Sequence, residues 1–150
     1  MPTIFVDADG CPVKDEVYRV AERHGLAVKL VANTWMRTPG QAWIDLVIVD
    51  DGFDAADDWI VEHAIESDIV VTADIPLASR CLKNGASVLG PKGREFTEDS
   101  IGGALAGREA SSFLREMGVM TGGPAPFTRR DRSRFLQKLD NLAQAAARAG

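Results

Sequence analysis

Residues 4–13, IFVDADGCPV, run apolar and β-branched side chains into Asp7, with Asp9 two positions on and Gly10, Cys11 and Pro12 behind it. A strand that delivers two carboxylates to its end can hold a divalent metal ion, and it can equally present the nucleophile of an aspartyl-phosphate phosphatase. Other acids fall at comparable places. Asp50 and Asp51 follow the apolar run 44–49, Asp54, Asp57 and Asp58 open the next helical stretch, Asp74 lies two residues past Thr72, and Asp99 opens a later helical stretch. For any one of them, a helix cap or a first-turn partner of the helix dipole is the simpler role. Taken together, Asp7, Asp9, Asp57 and Asp74 point to a site, because like charges so close repel in a low-dielectric cleft unless a cation neutralises them. Oxygen donors without a His or Cys cluster favour Mg2+ or Mn2+ over Zn2+.

The elements that must position these acids alternate. Strands are predicted over 3–7, 27–32, 44–49, 68–72 and 87–89, and helices over 13–24, 55–65, 76–83 and 99–117. Val13, Val17, Val20 and Ala21 share one face of the first helix, and Gly25 stops it. Asp54 is a plausible cap for the second. NTWMRTPGQAW and GPKGREFTED read as loops, and TGGPAPF as a rigid turn with the Gly122–Gly123 pair. Gly102, Gly103 and Gly107 interrupt the fourth helix. Thr128 caps a final basic helix, with Asp131 three residues on, close to a capping box. Strands apolar on both faces, separated by helices, predict an α/β fold. It would be three-layer α-β-α with a central, mostly parallel sheet of about five strands and a basic C-terminal helix. Ligands of such sheets sit beyond the carboxyl ends of the strands, where strand order reverses. That is the edge at which the acids are expected to collect.

The 150 residues suit one compact domain, and 45% hydrophobic content supports a core. No apolar run approaches bilayer length and no signal peptide opens the chain, so a cytoplasmic protein with no membrane partner is expected. Cys11 and Cys81 are read as reduced thiols. Net charge is −5, unevenly spread: residues 129–150 carry +4 and the remainder −9. An acidic body with a basic helix suits a metal site beside an anion-binding arm, although a solvated helix face would explain the charge alone.

FVDADG resembles the first motif of the haloacid dehalogenase phosphatases, in which the first Asp is nucleophile and the second general acid. Thr72 and Lys83 or Lys92 would fit the later motifs. The acidic pairs Asp50–Asp51 and Asp57–Asp58, however, precede Thr72 instead of following it. A small-molecule phosphatase is therefore the alternative reading. Residues 54–91 resemble the metal-site half of PIN-like nucleases: an Asp opening a helix, an apolar strand ending in T-x-D, then an apolar helix. Over the whole chain, VDADGCPVKDE, GFDAADDWI, VVTADIPLA, FTEDSIG and TGGPAPFTRRDRSRF resemble the successive motifs of the bacterial YaiI/YqxD family, with Gly10 where Ala is expected.

That resemblance implies a single PIN-like domain over 1–150 and a metal-dependent nuclease role. Asp7, Asp57 or Asp58, and Asp74 take the acidic places of the PIN-like pattern, and Asp99 that of a fourth acid. Asp7 and Asp74 are then the first choices as direct ligands of one or two Mg2+ or Mn2+ ions. Asp9, Asp57 and Asp58 serve as further ligands or orient the attacking water. Lys14 meets a phosphate oxygen or pairs with a nearby acid, and Thr72 shapes the turn. Arg129, Arg130, Arg132 and Arg134 spread over more than one helix face, so some of them would grip a nucleic-acid backbone, with RNA favoured over DNA. Trp35, Trp43 and Phe127 stack on bases or pack locally. His24 suits dipole pairing at a helix end, and neither it nor His63 receives a catalytic role. A non-catalytic nucleic-acid- or protein-binding module with the same fold is the third reading.

Overall fold

The computed structural model describes residues 2–9, 11–49, 55–106 and 127–149. The strands are β1 (Thr3–Asp7), β2 (Ala27–Ala32), β3 (Ile44–Ile48), β4 (Ile69–Val71), β5 (Ser87–Leu89) and β6 (Glu95–Phe96). The helices are α1 (Lys14–His24), α2 (Ala55–His63), α3 (Ile75–Lys83), α4 (Glu98–Ala106) and α5 (Arg129–Ala149). They form one sheet of order β3-β2-β1-β4-β5-β6, parallel except for the β5–β6 pair. Strand order reverses between β1 and β4, whose register pairs Ile4 with Ile69 and Val6 with Val71.

Alternation along β1 divides the core. Ile4 and Val6 face a cluster with Val17, Val20 and Ala21 of α1 and Phe135, Leu139 and Ala143 of α5. Phe5 faces the opposite cluster, with Ile60 of α2, Leu77 and Cys81 of α3, and Phe96 and Ile101. Both faces are thus covered, which is the three-layer α-β-α arrangement that strands apolar on both sides require.

Most boundaries follow the expected signals. Gly25 ends α1 in the left-handed region at φ 69°, and Leu26 N–H donates to Ala21 O at 2.9 Å, a Schellman closure. At the start of α5, Thr128 N–H donates to Asp131 Oδ2 at 2.9 Å and Asp131 N–H donates to Thr128 Oγ1 at 3.1 Å, completing the capping box. Cys11 and Cys81 are free thiols, and burial pushes that of Cys81 up to about 11.

Two expectations are corrected. The fourth strand is shorter than 68–72 and α2 ends before residue 65, and Asp68 holds the corner between them. Asp68, 7% exposed, accepts from Thr3 N–H at 2.9 Å with one carboxylate oxygen and from Ile65 N–H at 3.0 Å with the other. Its side chain ties the start of β1 to the turn that follows α2, while its own carbonyl accepts from Ser87 N–H at 2.9 Å. The stretch GPKGREFTED is not all loop either. Gly90 N–H donates to Arg94 O at 2.8 Å, which folds the chain back so that Glu95–Phe96 runs antiparallel to β5. Asp50, Asp51, Asp54, Gly10 and Gly122–Gly123 lie outside the described residues, as does the fourth helix beyond residue 106. Among the described residues no helix is long and apolar enough to cross a membrane.

Candidate carboxylate site at the β1–β4 switch point

The strand-order reversal leaves a gap beyond the carboxyl ends of β1 and β4, where neighbouring connections depart to opposite faces of the sheet. A cavity of about 230 Å3 occupies it, lined by Asp7, Asp9, Cys11, Pro12, Thr72, Asp74 and Pro91 among others. The register explains the composition. Asp7 is the last residue of β1, Thr72 follows the last residue of β4, and both strands end at the same level of the sheet.

Each carboxylate in the cavity is anchored through one oxygen. Thr72 Oγ1 donates to Asp7 Oδ2 at 3.0 Å, Asn33 N–H donates to Asp9 Oδ2 at 3.0 Å, and Leu77 N–H donates to Asp74 Oδ1 at 2.9 Å. The last bond makes Asp74 the N-cap of α3, with Pro76 in the first turn. Thr72 does double duty, since its hydroxyl oxygen also accepts from Asp74 N–H at 3.0 Å. The turn-shaping role expected for Thr72 is present, and the bond to Asp7 adds a link between the two strands.

Burial pushes the Asp7 carboxyl above its ordinary value, and the Asp74 and Asp9 carboxylates push in the same direction against the Thr72 hydroxyl. The cavity therefore holds unrelieved negative charge. Burial also raises the Cys11 thiol, with Lys14 opposing. Lys14 Nζ donates to Cys11 O at 3.1 Å, beside the cavity.

Three expected acids are not brought to this cavity. The helix α2 packs across β1 and β2 and against α3, and neither Asp57 nor Asp58 lines the cavity. Asp58 pairs with Arg80 at 2.9 Å, and Asp57 bears on the Cys81 thiol of α3. Asp99 is displaced by β6, which reverses the chain and starts α4 from the opposite edge of the sheet. The first turn of α4 accordingly lies by Leu82 and Lys83, at the far end of α3. Among the described residues, no three His, Cys, Asp or Glu side chains converge as a ready-made metal cage.

The start of α5 reaches the cavity rim. Arg132 Nη1 donates to Pro12 O at 2.8 Å, pairs with Glu16 at 3.2 Å, and its guanidinium lies 5.0 Å from the centre of the Phe127 ring. Arg132, itself exposed, is thus tied to the segment between β1 and α1, and Arg129 and Arg130 are exposed on the same turn. On the other rim the β5–β6 turn presses on α5: a Cβ on Gly93 (φ 90°) would fall 2.8 Å from the Arg134 carbonyl carbon. Sequence reasoning did not single out Asn33 or Pro91. Asn33 directly follows the end of β2 and Pro91 lies two residues past the end of β5, the strands next to β1 and β4, and that position was the available signal.

The family model described as "Uncharacterized BCR, YaiI/YqxD family" matches residues 5–145. A "UPF0178 protein" of Nitrobacter winogradskyi is 56% identical over 146 residues, covering 97% of this chain and 93% of its own. Proteins of the same description from Rhodopseudomonas palustris and Caulobacter vibrioides are 57% and 54% identical, covering 97% and 98% of this chain and 88% and 96% of theirs. No solved structure matches the chain.

Proposed function

The chain belongs to the YaiI/YqxD family, and from the geometry of its β1–β4 cavity we propose that it is a metal-dependent phosphodiesterase acting on nucleic acid, RNA before DNA. The observation that carries this reading is the half-buried Asp7 carboxyl, which shares one cavity with Asp9 and Asp74 and is pushed up by its desolvation and by both neighbours. Such a cluster is stable as an ionised set only beside a cation.

The donors fit a hard divalent ion. They are carboxylate oxygens, each fixed from behind by a protein donor, around a cavity with room for water. Among the described residues they do not converge as a group of three, so an ion bound there would take most of its ligands from water, as Mg2+ commonly does. Asp7 and Asp74 would hold it directly, with exposed Asp9 reaching it through water. Bound there, the ion supplies charge for a phosphoryl oxygen and an acidified water. The protein's own part is positional. Thr72 holds Asp7 in one orientation, Asn33 holds Asp9 at the mouth, and the first turn of α3 holds Asp74. Arg129 and Arg130, exposed beside the rim, favour a polyanion over a small phosphate ester.

A phosphatase reading keeps one supporting feature, the Thr72 hydroxyl at the strand end beside Asp7. Calorimetric titration of Mn2+ and Mg2+ into chelator-treated protein, beside Asp7→Asn and Asp74→Asn, separates the readings. Asn is a good N-cap, so Asp74→Asn changes charge without removing the cap. Metal binding lost in both variants, with cleavage of RNA by the parent, supports the nuclease. Turnover of an aryl phosphate without cleavage of RNA favours the phosphatase. Retained strand binding with neither activity favours the non-catalytic module.

A further inference from the structure

The chain offers three aromatic side chains as candidates for base stacking, and their surroundings separate them. Trp43 and Phe127 are partly buried against the core on the α1–α5 face. Trp35 is 72% exposed. It stands two residues beyond Asn33, whose N–H holds Asp9 at the mouth of the cavity. The segment that carries the indole is therefore fixed to the site's outer carboxylate at its first residue.

The sheet order places the other features. From β1, the segment bearing Trp35 leaves on the β2 side. Pro91 and Lys92 leave β5 on the β4 side and lead to Gly93, which packs on Arg134 and Phe135 of α5, one turn beyond exposed Arg129 and Arg130. The segment that follows Asn33 thus carries a solvated indole on the β2 side of the carboxylates, and Lys92 belongs to the β4 side. A ligand that satisfies both must alternate anionic phosphates with accessible flat faces. A single-stranded nucleic acid does so. In a duplex the base faces are stacked on one another and closed to an indole.

We propose that Trp35 is the base-stacking platform of the carboxylate site, and that the substrate is a single strand whose base beside the scissile phosphate lies on the indole. This rests on the nucleic-acid reading above and adds to it the strandedness of the substrate.

The test is fluorescence anisotropy of a labelled oligoadenylate RNA, single-stranded and annealed to its complement. It uses the full chain with Mn2+ and a phosphorothioate-linked form of the RNA that resists cleavage, so that the site carries its cation and turnover does not disturb the equilibrium, and compares the parent with Trp35→Ala and Trp35→Phe. The parent binds the single strand more tightly than the duplex. Trp35→Ala weakens single-strand binding about tenfold or more, and Trp35→Phe keeps most of it. Because the indole is exposed, both variants keep the parent's circular dichroism. If the parent binds the strand and Trp35→Ala binds it equally well, the stacking role is overturned and the nucleic-acid reading stands. If the parent binds neither form, both are overturned. If sedimentation shows a parent dimer that Trp35→Ala dissociates, and strand binding does not change, the indole covers a second copy and the proposal is overturned.

Discussion

Thr72 Oγ1 donates to Asp7 Oδ2 at 3.0 Å, joining the carboxyl ends of two adjacent strands that are 65 residues apart in the chain. The same hydroxyl accepts from Asp74 N–H at 3.0 Å, so one buried side chain sets the spacing of two of the three cavity acids. Thr72→Val keeps the shape and removes both bonds, leaving Asp74 N–H without its acceptor. The expected cost is about 2 kcal/mol, a fall in Tm of about 5 °C for a chain of this size. Thr72→Ser keeps the hydroxyl and should cost less than half as much. Thermal denaturation of the two variants beside the parent decides. Equal losses would show that the methyl group's packing, and not the hydroxyl, is what matters there.

Asp7 itself should be a burden on the metal-free fold. Its carboxyl is raised by burial first and by Asp74 and Asp9 next, so the folded state binds its proton more tightly than the unfolded state does. Stability from this group is then full below the ordinary value of 3.8 and falls as pH rises from there through the raised folded value. Asp7→Asn retains an oxygen to accept from Thr72 and removes the charge. In chelator it should melt above the parent at neutral pH, and the two curves should meet at acid pH. Added Mn2+ should raise the parent's Tm and leave the variant's where it was. A variant that melts below the parent at neutral pH would mean that the ionised carboxylate is already compensated.

Gly93 tests how the rim of the cavity is held. Its φ of 90° is one that L side chains rarely adopt, and a Cβ would sit 2.7 Å from Arg134 Cγ and 2.9 Å from Phe135 N. Backbone strain and overlap with the α5 backbone act together, so Gly93→Ala should cost about 3 kcal/mol. Gly25, at φ 69° with nothing within 4 Å of its Cβ position, carries only the conformational term. Gly25→Ala should cost about 1 kcal/mol. Denaturant unfolding of both variants gives the comparison. A Gly93→Ala variant as stable as Gly25→Ala would show that the β5–β6 turn can move away from α5.

What was legible in the sequence was what local pattern determines. β1, β2 and β5 run over the residues expected of them, because apolar runs between turn residues leave few alternatives, and the left-handed Gly25 stops α1 where a glycine was expected to. The carboxyl-edge rule also placed Asp7, Asp9 and Asp74 around one cavity. It failed for Asp99 because a two-residue antiparallel strand carries no period, and missing β6 put α4 at the wrong edge. It failed for Asp57 and Asp58 because an acid in the first turn of a helix is on the correct edge whichever side of that helix it occupies. Here the side was set by packing of α2 on α3. Asp68 read as a strand residue for a similar reason: its two backbone partners, Thr3 and Ile65, are brought to it only by the folded sheet.

The arginines at the start of α5 were expected to spread over more than one helix face, and their partners now divide them. Arg132 bonds Pro12 O and Glu16 and lies over Phe127, so it fastens α5 to the segment between β1 and α1. Arg129 and Arg130 are exposed and oppose the helix dipole, a local cost that a bound polyanion would relieve. Arg132→Ala should therefore lower Tm by a few degrees through lost packing and a lost charge-assisted bond. Arg129→Ala and Arg130→Ala should leave Tm unchanged or raise it slightly. For strand binding the order reverses. Each of the two exposed arginines that meets a phosphate should reduce the slope of log K against log salt by about 1. Arg132, its charge already turned to Glu16, should alter that slope little. Melts and a salt titration of the three single variants check both halves. If Arg129→Ala and Arg130→Ala leave the salt slope at the parent's value, the basic turn is a solvated helix end and the polyanion must approach the carboxylates from elsewhere.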